Sequence, residues 1–201
     1  MNTVFILCAG PAKDTFPKPK QLLYVDGETL LSRAIRLAYT YTEWVDVVTD
    51  NPEFERMYIA GFLYTKRFCG TCDTILDTQP FWKNNERVTF LMGDVFYTEE
   101  AMAKIMRTEL PIAFFGDGQE TFAISIEHSQ FGIITDCAQA ALESAHGNAD
   151  MGGKQALWLK LHAAKANPAK VWITDRTQDF DTRADYKAFM RGQSKNRMNT
   201  T

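Results

Sequence analysis

The chain has 201 residues, of which 45% are hydrophobic and 23% charged, and its formal net charge is −3. This length and apolar content suit one domain with a sizeable core, and the slightly acidic balance argues against a general nucleic-acid binder. No apolar run in the sequence is long enough to span a membrane, so no membrane partner is expected. The four cysteines do not form a disulfide framework, so a reducing, cytoplasmic setting is expected.

Short apolar runs and helical spacings alternate along the chain. The opening MNTVFILCAG has no basic segment before its apolar stretch, so it predicts a buried strand and not a signal peptide. Apolar runs bounded by turn residues predict strands at residues 3–8, 44–49, 62–68, 88–92, 112–115, 121–126 and 171–174. Helical periodicity and capping residues, including Thr98 and Thr182, predict helices at residues 30–40, 71–82, 99–108, 130–146, 154–166 and 183–190.

This alternation predicts an α/β sandwich with a largely parallel sheet. Gly116-Asp117-Gly118 lies between two strand-like runs and predicts a hairpin, which requires at least one antiparallel strand. One domain is expected over residues 1–190, followed by a polar, flexible tail over residues 191–201. No insertion suggests a dimerisation device, so a monomer or a dimer is expected.

Residues 9–21 contain three prolines and predict a loop after the first strand. Gly10 allows the backbone to approach a ligand closely, and Lys13, Lys18 and Lys20 offer ammonium charges. Backbone N–H groups and cations together suit a polyphosphate. The alternative interpretation is a solvated, lysine-rich surface loop, which the loop taken alone favours.

Carboxylates follow two of the later strands. Asp94 comes directly after an apolar run and Gly93, and Asp179 and Asp181 follow the last predicted strand. Ligands of open parallel sheets bind at the carboxyl ends of the strands, and Mg²⁺ prefers one or two carboxylates with water and phosphate oxygens. Asp94 and Asp181 are therefore candidate Mg²⁺ ligands, although each taken alone is more typical of a turn or a helix cap.

Cys69-Gly70-Thr71-Cys72 is a single C-x-x-C motif. A zinc site would need two further ligands at suitable spacing, and the three histidines do not supply them. A redox motif requires a strand before it and a helix after it, which the sequence allows. Both interpretations are disfavoured by the resemblance described next.

Four segments together resemble the nucleotidyltransferase family that includes sugar-1-phosphate nucleotidyltransferases and molybdopterin-guanine dinucleotide synthase-like proteins. The family's opening strand and A-A-G loop, ending in P-K-x-L, are similar to Cys8-Ala9-Gly10 and Pro19-Lys20-Gln21-Leu22. Its G-T-A-[HD]-A segment resembles Gly70-Thr71-Cys72-Asp73-Thr74, which makes the C-x-x-C accidental. Its strand ending in G-D resembles Gly93-Asp94, and its late D-[IV]-D-T-x-x-D motif resembles the segment from Asp179 to Asp185.

The resemblance implies a three-layer αβα sandwich, the Rossmann-like nucleotide-diphospho-sugar transferase fold. It implies Mg²⁺-dependent transfer of a nucleoside monophosphate from a nucleoside triphosphate to a phosphorylated acceptor, such as a sugar 1-phosphate. It implies that Lys20 and Lys13 are catalytic and that Asp94 and Asp181 bind the metal. The nucleotide-binding residues that it implies are Cys8, Ala9, Gly10, Lys20, Gly70 and Thr71.

The sequence also departs from the family pattern. The family's second loop glycine falls at Ala12 and its arginine at Asp14, which favours a non-catalytic nucleotide-binding protein as an alternative. Thr65 stands where uridylyl-transferring members place a glutamine, so the base stays open. A related nucleotide-sugar glycosyltransferase is a further alternative, although such enzymes usually carry a second aspartate two residues after the first, where this chain has Phe96.

Overall fold

The computed structural model describes residues 2–9, 16, 18–58, 60–65, 70–82, 85–145 and 153–198. The strands within these residues are β1 (Asn2–Leu7), β2 (Tyr24–Val25), β3 (Glu28–Thr29), β4 (Trp44–Thr49), β5 (Gly61–Tyr64), β6 (Arg87–Met92), β7 (Val95–Phe96), β8 (Ile112–Gly116), β9 (Thr121–Glu127), β10 (Ala169–Trp172) and β11 (Gln178–Asp179). The α-helices are α1 (Leu30–Ala38), α2 (Thr71–Thr78), α3 (Glu99–Met106), α4 (Phe131–Ala145), α5 (Lys154–Ala163) and α6 (Arg183–Met198).

Seven strands form one sheet in the order β10-β8-β9-β6-β1-β4-β5. Strand β9 runs antiparallel to both β6 and β8, whereas the other neighbouring pairs of this sheet are parallel. Helices α1 and α3 contact each other, and α2, α4 and α5 form a second group, so helices cover both faces of the sheet. The fold is thus a three-layer αβα sandwich with a mixed, mostly parallel sheet, as predicted, and the antiparallel hairpin is β8–β9.

The central strands are apolar on both faces because helices cover both sides of them. In β1 and β6, the ring of Phe5 stacks on that of Phe90 with centroids 5.8 Å apart. Trp82 packs against Phe90 edge to face, at 5.8 Å, and its indole N–H donates to Thr78 Oγ1 over 2.9 Å. This packing explains why the strands were visible in the sequence as continuous apolar runs without alternation.

Two predicted helix caps are present in the structure. Thr98 Oγ1 accepts a hydrogen bond from the backbone N–H of Ala101 (3.0 Å), and Thr182 Oγ1 accepts one from that of Asp185 (3.2 Å). These hydroxyls satisfy backbone donors that have no partner within the first turn of a helix. The capping threonines therefore determine where α3 and α6 begin.

Several element boundaries differ from those predicted. Helix α2 ends at Thr78 and continues as a 3-10 turn over Gln79–Phe81, because Pro80 cannot donate to the helical ladder. Strand β10 begins two residues earlier than predicted, at Ala169, where it pairs with Ala113 of β8. Helix α6 continues to Met198, so the backbone of residues 191–198 is helical where a loose tail was expected.

A second, smaller apolar cluster lies apart from the main core. Phe16, Val25, Leu30, Phe96 and Phe180 are buried in it. From α6, Tyr186, Phe189 and Met190 pack onto this cluster. Helix α6 thus packs onto the same apolar cluster as Phe16, which precedes Lys20 by four residues.

Candidate functional site

The carboxyl ends of β1, β4 and β6 meet at one edge of the sheet. The backbone N–H of Cys8 donates to Val48 O (2.8 Å), and that of Gly93 donates to Leu7 O (2.9 Å). A Cβ on residue 93 would lie 2.3 Å from Cys8 Sγ, so a glycine is required for β6 to end this close to β1. Asp94 is consequently placed beside the segment that follows β1.

The two-stranded ribbon of β7 and β11 brings the late aspartates to the same place. These strands pair antiparallel, with Asp179 opposite Val95 and Gln178 opposite Phe96. Asp94 directly precedes β7, and Asp181 follows β11 by two residues. Residues far apart in sequence therefore share one end of the sheet because of a pairing that spans only two residues on each strand.

Lys20 lies among these three carboxylates. It begins a 3-10 turn over Lys20–Leu22, and its Nζ lies 3.1 Å from Asp94 Oδ2, 3.2 Å from Asp179 Oδ1 and 3.6 Å from Asp181 Oδ1. The side chains of Lys20 and Asp179 are each 13% exposed, whereas that of Asp181 is 52% exposed. The lysine and Asp179 form the buried part of the cluster, and Asp181 forms its solvent-facing part.

The pKa values in this cluster reflect burial and charge together. Burial alone would lower the pKa of Lys20, but the charges and hydrogen bonds of Asp94 and Asp179 outweigh it and raise the pKa well above its ordinary value. Burial, followed by the charge of Asp94, raises the pKa of the Asp179 carboxyl. Lys20 is therefore a permanent cation at neutral pH.

A cleft of about 790 Å³ opens over this cluster. Its lining includes every described residue to which the resemblance assigned a role. These residues are Cys8, Ala9, Lys20, Gly70, Thr71, Asp94 and Asp181. Gly10 and Lys13, which were also predicted site residues, lie outside the described residues, as do Ala12 and Asp14.

The start of α2 forms part of the cleft wall. Gly70 has φ = +119°, a conformation that residues with a Cβ rarely adopt, and Thr71 is the first residue of the helix. Burial raises the pKa of the Cys72 thiol to about 12. This disfavours the thiolate that redox chemistry requires. Cys69 lies outside the described residues, so the structure describes only the Cys72 half of the C-x-x-C motif, which is a free and buried thiol.

The carboxylates beside Lys20 suit a Mg²⁺ ion that keeps water and substrate ligands. Within the described residues, no group of three or more His, Cys, Asp or Glu side chains is arranged to hold a metal ion by itself. Mg²⁺ does not require such a cage, since it is commonly held by one or two carboxylates together with water and substrate phosphates. Asp94 and Asp181 fit that requirement, because their oxygens converge on the same point, Lys20 Nζ, from within 3.6 Å.

Sequence reasoning missed several residues of the cleft. Asp179 was seen only as part of a motif, although it is the most buried carboxylate beside Lys20. Asp50 lies at the end of β4, and Glu120 and Lys154 come from the β8–β9 hairpin and α5. The end of β4 was a detectable signal, because the carboxyl ends of parallel strands share an edge. Glu120 and Lys154 carried no signal in the sequence.

No protein-family model and no curated protein sequence matches the chain. Solved structures match its fold. The structure of Rv0371c from Mycobacterium tuberculosis H37Rv aligns with a TM-score of 0.66 at 16% identity, covering 94% of this chain and 97% of that one, and the same protein is also known as a manganese complex. A CMP:2-keto-3-deoxy-manno-octonic acid synthetase complexed with CTP aligns with a TM-score of 0.66 at 13% identity, covering 97% and 99%.

A third match is a Bacillus anthracis protein described as a glucose-1-phosphate thymidylyltransferase, in complex with a sucrose. It aligns with a TM-score of 0.67 at 11% identity and covers 94% of each chain. At these identities the likeness shows the fold alone. The chain thus has the fold of nucleotide-diphospho-sugar transferases, and the fold that the motifs implied is confirmed. Separately, none of the helices in the described part of the chain has the length and apolar character needed to cross a membrane.

Proposed function

We propose that this protein is a metal-dependent nucleotidyltransferase that transfers a nucleoside monophosphate from a nucleoside triphosphate to a phosphorylated acceptor. The observation that supports this most is the convergence of Lys20, Asp94 and Asp181 under one cleft, at the carboxyl ends of parallel strands. A polyphosphate needs cationic groups, and a divalent cation needs carboxylates, at the same place. This cleft offers both.

In the proposed reaction, a phosphate oxygen of the acceptor attacks the α-phosphorus of the nucleotide. A new P–O bond forms there, the bond from the α-phosphorus to the bridging oxygen breaks, and pyrophosphate leaves with that electron pair. The protein does little covalent work in such a transfer, so positioning and charge stabilisation dominate. Lys20 is suited to stabilise charge on the phosphoryl oxygens, because it is compact and its raised pKa keeps it protonated.

Asp94 and Asp181 are the residues that would hold the cation, which we propose to be Mg²⁺. When bound, the cation would supply charge stabilisation to phosphate oxygens. Asp179 is not assigned the same role, because its side chain is the least exposed of the three carboxylates, at 13% against 27% for Asp94 and 52% for Asp181. We assign it instead to orienting the lysine, since its carboxylate accepts a hydrogen bond from Lys20 Nζ.

The nucleotide itself is proposed to lie between the segment after β1 and the start of α2. Cys8 and Ala9 would contact it through their backbone, and Gly70 and Thr71 would hold the base or ribose, as all four line the cleft. Gly10 and Lys13 belong to the same proposal on the resemblance alone. The base stays open, since the matched structures include one complexed with CTP and one described as a thymidylyltransferase.

We further propose a sugar 1-phosphate as the class of acceptor, supported by the glucose 1-phosphate in the description of one matched structure. We also propose that the protein works in a reducing, cytoplasmic setting. The described cysteines are compatible with it, because Cys8, Cys72 and Cys137 are free, buried thiols.

The test has two stages. Calorimetry with each of the four nucleoside triphosphates and Mg²⁺ measures binding, and a pyrophosphate-release assay with a panel of sugar 1-phosphates measures transfer. Binding followed by pyrophosphate release that requires the acceptor supports the proposal. Binding without release on any acceptor favours the non-catalytic alternative, and hydrolysis of a nucleotide-sugar without pyrophosphate chemistry favours a glycosyltransferase.

A further inference from the structure

A second, smaller cavity adjoins the cleft at the β8–β9 hairpin. It has a volume of about 60 Å³, and its walls include Phe114, Trp158, Val171 and Trp172. We call it the aromatic pocket. Glu120, Lys154 and Gln155 line both the aromatic pocket and the cleft, so the two spaces meet at these side chains.

The indole of Trp172 packs against the hairpin turn and is also partly exposed to solvent. A Cβ on Gly118, whose φ is +100°, would lie 2.3 Å from the Trp172 ring, so the hairpin turn is packed directly against that ring. Lys104 Nζ donates to the backbone O of Trp172 over 2.6 Å and fixes the end of β10. Trp172 is nevertheless 53% exposed, which leaves aromatic surface available to a ligand.

A second indole, that of Trp158, also lines the aromatic pocket. Trp158 packs edge to face on Phe114, with centroids 5.0 Å apart, and Lys170 Nζ lies 4.9 Å from the Trp158 ring centroid. Aromatic faces next to polar groups suit a ring that has an apolar face and a hydroxylated edge. The polar groups are present at the entrance, as the carboxylate of Glu120 and the amide of Gln155.

Lys154 stands at the junction and carries the charge that a phosphate needs. Its Nζ lies 3.2 Å from Glu120 Oε2 and 3.0 Å from Thr121 O. Lys20 differs in having three carboxylates within 3.6 Å. Lys154 instead faces one carboxylate, that of Glu120, which is 40% exposed. A phosphate therefore displaces Glu120 from Lys154 at a smaller electrostatic cost than it would displace the carboxylates from Lys20.

We propose that Lys154 binds the phosphate of the acceptor and that the acceptor's ring stacks on the exposed surface of Trp172 at the mouth of the aromatic pocket, which is too small to enclose a ring, with Trp172 as the residue that selects it. This inference rests on the proposed function and deepens it, because it assigns the acceptor end of the cleft. None of these residues belongs to a motif that the sequence resemblance used. The pocket and the lysine together define a ring-bearing phosphomonoester as the ligand.

The test measures binding of glucose 1-phosphate to the whole protein by calorimetry, with glucose and inorganic phosphate as its fragments. Trp172→Ala should weaken binding of glucose 1-phosphate roughly three- to tenfold through lost stacking. Lys154→Met should weaken it at least about tenfold through a lost charge-assisted hydrogen bond. Trp44→Ala and Lys160→Met are the controls, because Trp44 is also 53% exposed and Lys160 lies on the same helix as Lys154.

The same variants are tested for nucleoside triphosphate binding with Mg²⁺, which the inference leaves unchanged. Loss of glucose 1-phosphate binding in Trp172→Ala and Lys154→Met, with nucleotide binding and the two controls as in the wild type, supports the assignment. Wild-type affinity in both variants, or failure of the unaltered protein to bind glucose 1-phosphate while it binds nucleotide, overturns it. Failure of the unaltered protein to bind any nucleotide overturns the proposed function instead.

Discussion

Replacing Lys20 with methionine keeps most of the apolar stem of the side chain and removes the ammonium group from among three carboxylates. Two unit charges about 4 Å apart interact by about 4 kcal/mol at an effective dielectric of 20, and Asp179 is the partner least screened by solvent. Removing one partner of a buried ion pair costs about 3–5 kcal/mol. Because the pair is 13% exposed on both sides, we expect a loss of about 3 kcal/mol in the free energy of unfolding.

For a chain of this length, about 1 kcal/mol corresponds to about 2–4 °C in Tm, so Lys20→Met should melt roughly 6–12 °C lower. Added Mg²⁺ should recover part of that loss, since the carboxylates gain a replacement cation. In the pyrophosphate-release assay, the lost electrostatic stabilisation should cost about a hundred- to thousandfold in turnover.

Thermal and urea unfolding with and without Mg²⁺ check the stability, and Lys18→Met serves as the control because Lys18 lines the same cleft but is exposed. The prediction is refuted if Lys20→Met has the same Tm as the control and if Mg²⁺ raises that Tm no more than it raises the Tm of the wild type.

Three further outcomes are expected. Asp94→Ala should reduce turnover with Mg²⁺ by about a hundred- to thousandfold, and normal turnover of this variant would disprove the metal assignment. Phe16→Ala should raise the KM for the nucleotide, because Phe16 is buried in the apolar cluster onto which α6 packs and precedes Lys20 by four residues. An unchanged KM would show that this cluster does not position the site. Glu28→Gln should flatten the pH dependence of unfolding: the hydrogen bond from Arg36 lowers the pKa of Glu28, so the stability it gives is present at neutral pH and is lost as the pH falls below about 4. Urea midpoints at pH 7 and at about pH 3 check this, and equal pH sensitivity in the variant and the wild type would contradict it.

The fold could be predicted from the sequence because apolar runs, helix caps and turn residues are local patterns. The apolar runs of β1 and β6 follow from burial on both faces, and Thr98 and Thr182 mark helix starts through hydrogen bonds that span three residues. The turn at Gly118 similarly marked the hairpin. Local signals were weakest at element ends, where Pro80 converts the end of α2 into a 3-10 turn and where α6 continues to Met198.

The candidate site could be predicted from the sequence only in part. Asp94 was detectable because it follows an apolar strand, and Asp181 because it belongs to a recognisable motif. That both face Lys20 depends on the β7–β11 ribbon, whose strands are two residues long and leave no periodic pattern. Asp179 therefore became visible as a partner of Lys20 only in the structure.

The sequence by itself determined the order of strands and helices, the loop chemistry after β1 and the family resemblance, because each of these lies within a few consecutive residues. The tertiary structure alone decided which charges meet. It placed Lys20 among three carboxylates, and it set Lys154 and Glu120 at the junction of the cleft and the aromatic pocket. Ion pairs between residues so far apart in sequence depend on strand order and register across the whole sheet, and no local pattern encodes that.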